Sequence, residues 1–317
     1  MENNSSPDLN ITWKTYCNLT DREDVHHVRV TSVVSAVIST LVFLLGPTVN
    51  GFVLWIQFVK MEKKYHTILA FHLFFVGFIF SIFQSLDTVY FASDIDWPFG
   101  SFLCRLHGAI FHLYMFVSAL ILTLFSIDHC LVVLLPIRYN IYRTKGLASK
   151  ELLVIWIFSL GVSVPYFIFR NTYDCQNSTK CLYGVLHNEK VQYQSIVTTA
   201  FVLGFFMPFL VIISCFIITG LSYHRKETSR YTTSLKLIFS IQLCFALCWL
   251  PHHVFSFLSS FRTGGGSLVA LGLHLTTALA SLTTCINPLM YAFISPHFQK
   301  VFSIQSLISK KSCCNHT

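Results

Sequence analysis

Long apolar runs, separated by short polar patches, set the pattern of this chain. Between Leu106 and Ile127 there is no Asp, Glu, Lys or Arg. At ~1.5 Å per helical residue that stretch crosses the ~30 Å hydrocarbon core of a bilayer. Comparable runs recur at 30–58, 66–91, 101–135, 151–169, 194–222, 234–261 and 267–294, and predict seven membrane-spanning helices. The third run organises the rest. It opens at Cys104, ends at Pro136, and is interrupted by His107, His112, Tyr114 and Ser118. Polar positions at helical spacing in a spanning helix face protein or water, which places this helix inside a bundle.

The connecting segments give the expected orientation. Lys60, Lys63 and Lys64 follow span one, Arg138, Arg143, Lys145 and Lys150 follow span three, and Arg225, Lys226 and Arg230 follow span five. With Lys300, Lys310 and Lys311 in the tail, all fall on one side, the cytosolic one by the positive-inside rule. Asp87, Asp94, Asp96 and Trp97 fall on the other. Sequons at Asn3, Asn4, Asn10 and Asn18 in the polar head, and at Asn177, mark that side as the glycosylated exterior. The domains expected are an extracellular tail over 1–29, a seven-helix domain over 30–294, and a cytoplasmic segment over 295–317. In the last, Phe298, Val301, Phe302, Ile304 and Ile308 line one side of a short amphipathic helix lying on the membrane. Cys313 and Cys314 behind it are candidate palmitoylation sites, or plain thiols. No apolar leader precedes span one, so no cleavable signal peptide is expected.

Composition narrows the class. Apolar residues make up 54% of the chain and charged ones 11%, under half the share of a soluble domain. The net charge of +8 sits at one membrane face and does not imply nucleic acid. No repeated halves or paired intramembrane charges point to a transporter. No HExxH spacing or Ser/His/Asp set points to an enzyme, and neither cofactor nor metal is expected.

Short motifs fall in order on six of the seven spans: Asn50 in PTVNGFVLW, Cys104, Asp128, Trp156, Pro208, Cys248-Trp249-Leu250-Pro251, and Asn287-Pro288-Leu289-Met290-Tyr291. Pro208, Pro251 and Pro288 each remove a backbone donor and predict kinked helices with mobile inner ends. Trp249 is a core lever or a volume filler, and Asn287 and Tyr291 share a helical face. Together these residues resemble the rhodopsin-like (class A) G-protein-coupled receptors, over essentially the whole chain. The resemblance implies an all-α seven-transmembrane bundle at the plasma membrane, a heterotrimeric G protein and arrestin as partners, and Asp128, His129, Trp249, Pro251, Asn287, Pro288 and Tyr291 as the switch. It also implies a Cys104–Cys181 disulfide. Cys17 and Cys175, the remaining outer cysteines, are candidates for a second bridge.

LHGAIFHLYMF (106–116), PIRYNIYRT (136–144), SVPYFIFRNT (163–172) and CWLPHHVFSF (248–257) resemble the chemoattractant branch, formyl-peptide and chemoattractant-type prostaglandin D receptors. That resemblance implies that Arg170 holds a ligand carboxylate, although a charge directly after an apolar run can also snorkel to lipid phosphates. Arg105, His107, Lys180, His252 and His253 add donors, and Phe111, Tyr183 and Phe255 an aromatic wall, with His112 and Met115 completing the expected ligand set. Such a cup suits an extracellular amphipathic anion, an acidic lipid mediator or a peptide carboxylate.

Three regions depart from the family: the ligand cup, span two and the inner end of span three. Phe201 and His252 replace a lysine and a tyrosine of the prostaglandin receptor, Gly77 replaces the sodium-binding aspartate of span two, and Asp128-His129-Cys130 replaces Asp-Arg-Tyr. Histidine lacks the guanidinium's fork and reach. Two outcomes are expected to compete: signalling through an inhibitory G protein or arrestin, and an atypical or decoy receptor that internalises ligand without efficient G-protein activation.

Overall fold

A computed structural model describes residues 25–175, 178–183, 190–224, 232–261 and 267–294. Seven of its helices are long and apolar enough to cross a membrane. In hydrocarbon every backbone N–H and C=O must be paired within its own segment, so apolar runs of this length fold as helices. Span one is Val25–Lys60, span two Tyr65–Ala92, span three Gly100–Leu134 and span four Lys145–Phe169. Span five runs as Lys190–Phe201, a π-helical turn Val202–Phe206, and Met207–His224. Span six is Thr232–Phe261, and span seven is Ser267–Ser281 followed by Thr283–Ile294.

Packing ranks the spans. In spans three and seven 56% of the most apolar window is buried, against 22% in spans one and five, and span three, which packs on spans two, four, five and six and on the loop between spans four and five, is the axis of the bundle. Its buried residues run from Cys104 to Cys130 and include Phe111, Tyr114, Met115, Phe116, Ser118 and Asp128. Large apolar side chains such as Phe58, Leu153, Val154 and Leu247 point outward, the inverse of a soluble surface.

Several boundaries differ from the sequence expectation for identifiable reasons. Span four begins at Lys145 rather than 151, because the Thr144 hydroxyl caps it by accepting from the Leu147 amide at 3.2 Å. Two lysines and a glutamate in its first turns hide this extension from a hydropathy window. A seven-residue helix, Pro136–Tyr142, follows span three with proline at its start. Between spans four and five lies an antiparallel hairpin, Arg170–Cys175 with Ser178–Tyr183, in which Arg170 faces Tyr183.

The three prolines sit in three different settings. In span five the π turn precedes Pro208, and the Met207 amide donates to the Val202 carbonyl. Span six remains one unbroken helix through Pro251. Span seven breaks at Leu282, six residues before Pro288. Pro288 leaves the Thr284 carbonyl without its helical donor, and the Asn50 side-chain amide fills that place at 2.9 Å while also donating to the Gly46 carbonyl at 2.8 Å. At the same break Tyr114 and Thr283 share a hydrogen bond of 3.0 Å.

The expected Cys104–Cys181 disulfide is present and ties the hairpin to span three. Cys175 is also disulfide-bonded. Its expected partner Cys17, the sequons, the amphipathic carboxyl-terminal helix, Cys313 and Cys314 lie outside the described residues.

Candidate functional site

At the hairpin end of the bundle, span four ends where the backbone of Arg170 turns extended and enters the first strand. This geometry carries the guanidinium over span three. Gly108 makes room for it: a Cβ there would lie 2.6 Å from Arg170 Cδ and 2.9 Å from Nη1. The guanidinium lies 5.1 Å from the centroid of the Tyr183 ring, its cross-strand neighbour. Burial pushes the Tyr183 phenol up to about 12, so the ring stays neutral under its cation.

Arg170 Nη1 donates to His107 Nδ1 at 3.2 Å, and His107 Nε2 stands 3.1 Å from Asp87 Oδ2. A guanidinium has no acceptor, so Nδ1 accepts and the Nε2 hydrogen goes to Asp87. The result is a relay, Arg170–His107–Asp87, with His107 and Asp87 both buried. It holds the arginine inward, against the snorkelling alternative. Arg170 Nε has no protein partner among the described residues.

The other expected ligand residues divide. Phe111 forms the floor of this region, with ring centroids 5.1 Å from both Trp249 and His252. Met115 lies beneath it, fully buried and packed toward Gly204 of the π turn. His112 is engaged in packing, stacked on Tyr166 at 3.4 Å with Nδ1 on the Gly108 carbonyl at 2.9 Å. His252 bridges to span seven through Thr277 at 3.2 Å. Phe255 lays its ring over Gly272 in the seam between spans six and seven. His253 turns toward Phe201 and Phe205 of span five. Lys180 donates to the Ile95 carbonyl at 2.5 Å, tying down a loop residue of positive φ, and burial pulls its ammonium below the usual lysine range. Arg105 is half-buried.

Two neighbours were not anticipated as site residues. Asp87 anchors the relay, and its signal was an acid inside the apolar run of span two. His274 of span seven packs edge-on against Tyr90 and Phe91, 5.9 and 5.6 Å away; its sequence context carries no comparable signal.

At the opposite end, Asp128 accepts from Arg143 Nε at 2.6 Å and from Nη2, a two-pronged clamp, and from the Tyr139 hydroxyl at 3.2 Å. Burial, then the carboxylate, push the Tyr139 phenol up to about 12, which keeps it a donor. Arg143 also lies over the Tyr65 ring, whose hydroxyl donates to Glu151 at 2.5 Å. His129 is buried beside this cluster. Nearer the middle, the Gln242 amide links span six to span three through the Leu122 carbonyl and the Ser126 hydroxyl. Trp249 is fully buried between Phe111 and Phe245. Asn287 is buried one turn from Tyr291, whose ring packs on Phe74 at 5.0 Å. Gly77 sits against Asn50, where a Cβ would come within 3.0 Å of the amide oxygen.

The family model described as 7 transmembrane receptor (rhodopsin family) matches residues 49–291. The chain belongs to this family. Among its relatives, chemerin-like receptor 1 of Homo sapiens is 30% identical over 289 residues, covering 86% of this chain and 78% of the relative. The C3a anaphylatoxin chemotactic receptor of Danio rerio is 30% identical over 271 residues, covering 84% and 73%. N-formyl peptide receptor 3 of Pongo pygmaeus is 27% identical over 283 residues, covering 84% and 81%. The receptor is thus of the chemoattractant type, a multi-pass plasma-membrane protein and not an enzyme, with an extracellular ligand and a G protein as its partners.

Proposed function

We propose that this receptor, with its amino terminus outside the cell, binds an acidic chemoattractant, a lipid mediator or a peptide carboxylate, and signals to an inhibitory G protein or arrestin. The observation that carries the reading is Arg170. Its guanidinium is held by His107 and Tyr183 in the interior of the outer end, with an N–H left over. A carboxylate accepted there gains a charge-assisted bond away from bulk water. Phe111 beneath supplies apolar contact for the body of the ligand, and the chemotactic and peptide receptors among the relatives favour the same ligand class. Trp249, packed against Phe111, is the route from this floor to the inner end.

A second reading, a receptor that binds and internalises ligand without efficient G-protein activation, is favoured by His129 in place of the family's arginine. The clamp of Asp128 by Arg143 points the same way, since it leaves the carboxylate paired without any arginine at position 129.

Inhibition of cyclic AMP in transfected cells, with surface expression checked, tests both. A response of wild type to acidic ligands that Arg170→Ala loses supports signalling through the proposed site. A response restricted to His129→Arg supports the second reading. A wild-type response that Arg170→Ala retains would overturn the proposed site.

A further inference from the structure

The relay at the hairpin end sets an imidazole between one carboxylate and one guanidinium. His107 Nδ1 accepts from Arg170 Nη1 at 3.2 Å, and Nε2 lies 3.1 Å from Asp87 Oδ2. Both bonds exist together only while the ring carries a single hydrogen, on Nε2. The His107 residue is 2% exposed and Asp87 6%, so bulk water does not replace either bond. Arg170 is half-buried and connects the pair to the solvent side.

The groups around His107 leave little to absorb a further positive charge. Asp87 of span two is the carboxylate in contact with the ring, and from the hairpin comes Arg170 under the Tyr183 ring. Lys180 of the second strand is answered by Asp94 and Asp96, in the loop between spans two and three. His274 of span seven lies within electrostatic reach of Asp87, Arg170 and Lys180, but its ring packs on Tyr90 and Phe91. On span three itself, Arg105 adds a cation two residues away, and His112 is held on the Gly108 carbonyl. His252 of span six, bonded to Thr277, lies across the Phe111 ring. A charged His107 and Arg170 would thus compete for a single carboxylate.

We propose that His107 is a positioning residue for Arg170 that acts only in its neutral form, so that a proton taken up by the ring releases the guanidinium and couples capture of an acidic ligand to pH. A second ring hydrogen, on Nδ1, would face the Nη1 hydrogens. Donor then meets donor, and two cations stand at a contact of 3.2 Å. The imidazolium keeps Asp87, because its Nε2 hydrogen now makes a charge-assisted bond. The guanidinium has no such tie and moves toward solvent, retaining the Tyr183 ring alone of its two holds. An imidazole changes charge between about pH 5 and 8, so the hold is present at the alkaline end of that window and lost at the acid end. The consequence for the ligand rests on the reading of Arg170 as the carboxylate site; the release itself does not.

Full-length receptor, isotope-labelled at its histidine and arginine side-chain nitrogens, is placed without ligand in phosphatidylcholine nanodiscs. The His107 and Arg170 resonances, assigned with His107→Gln and Arg170→Lys, are followed by magnetic resonance across the same window of about pH 8 to 5. At the alkaline end His107 is expected to show a bare Nδ1 and a hydrogen on Nε2. At the acid end both nitrogens carry hydrogen, and the Arg170 resonance shifts with the same midpoint. The amide in His107→Gln also offers one acceptor and one donor but takes up no proton, so there the Arg170 shift should be lost. An Arg170 shift retained in His107→Gln, an Arg170 resonance unmoved while His107 titrates, or a His107 that keeps one protonation state throughout would each overturn the switch. Because no ligand is present, these outcomes are independent of the cyclic AMP test of Arg170→Ala, which alone decides the carboxylate site.

Discussion

Replacing Arg143 by Ala strands the Asp128 carboxylate. That carboxylate is buried near the carboxyl end of span three and keeps one weaker bond, from Tyr139 at 3.2 Å. Removing one partner of a buried ion pair costs about 3–5 kcal/mol, because the other charge is left without compensation. The Arg143 side chain is 24% exposed and water screens it in part, so the expected loss falls to the bottom of that range or below it, about 2–3 kcal/mol. Asp128→Asn removes the charge along with the pair and should be milder. The double variant should be more stable than Arg143→Ala alone, an order that independent contributions cannot produce. Denaturation of purified receptor, run as a full cycle of the two single variants, the double variant and wild type, reads the coupling directly. If the effects add within ~0.5 kcal/mol, the pair carries no coupling and the reasoning is refuted.

Three further outcomes follow from the geometry. Gly108→Val should push the guanidinium away from His107 and lower the potency of acidic ligands by about tenfold or more, the loss expected for a charge-assisted bond; concentration–response curves at matched surface expression check it. Asn50→Ala leaves the Thr284 carbonyl unpaired and should lower stability by about 1–3 kcal/mol, read as a reduced melting temperature in detergent. Cys104→Ser releases the hairpin and should remove about 2–4 kcal/mol, seen as lost surface delivery by flow cytometry.

The spans were legible because the bilayer imposes length and apolarity on each one separately, so local sequence suffices. The carboxyl end of span two shows where that stops. Asp87 stood out as an acid, but its partner is on another helix, 20 positions away. Arg143 was visible as a basic loop residue, yet its pairing with Asp128 depends on the short Pro136–Tyr142 helix, too brief to leave a periodic signal. The structure spreads the expected cup residues over different neighbours for a reason already present in helical geometry. His252 and His253 are adjacent, and neighbours on a helix point about 100° apart, so one faces span seven and the other span five. The break at Leu282 had no proline or glycine at the point where it occurs.

The Asn50 bond to Thr284 has a consequence for natural variation. Both of its contacts are carbonyl oxygens, so what matters at this position is the amide's hydrogens and not its outline. Aspartate has nearly the same shape but, ionised, offers only acceptors, and would set like against like in a place water does not reach. A substitution ranked as gentle by size would therefore be among the harshest in the first span, while a smaller residue of unrelated shape would do less harm.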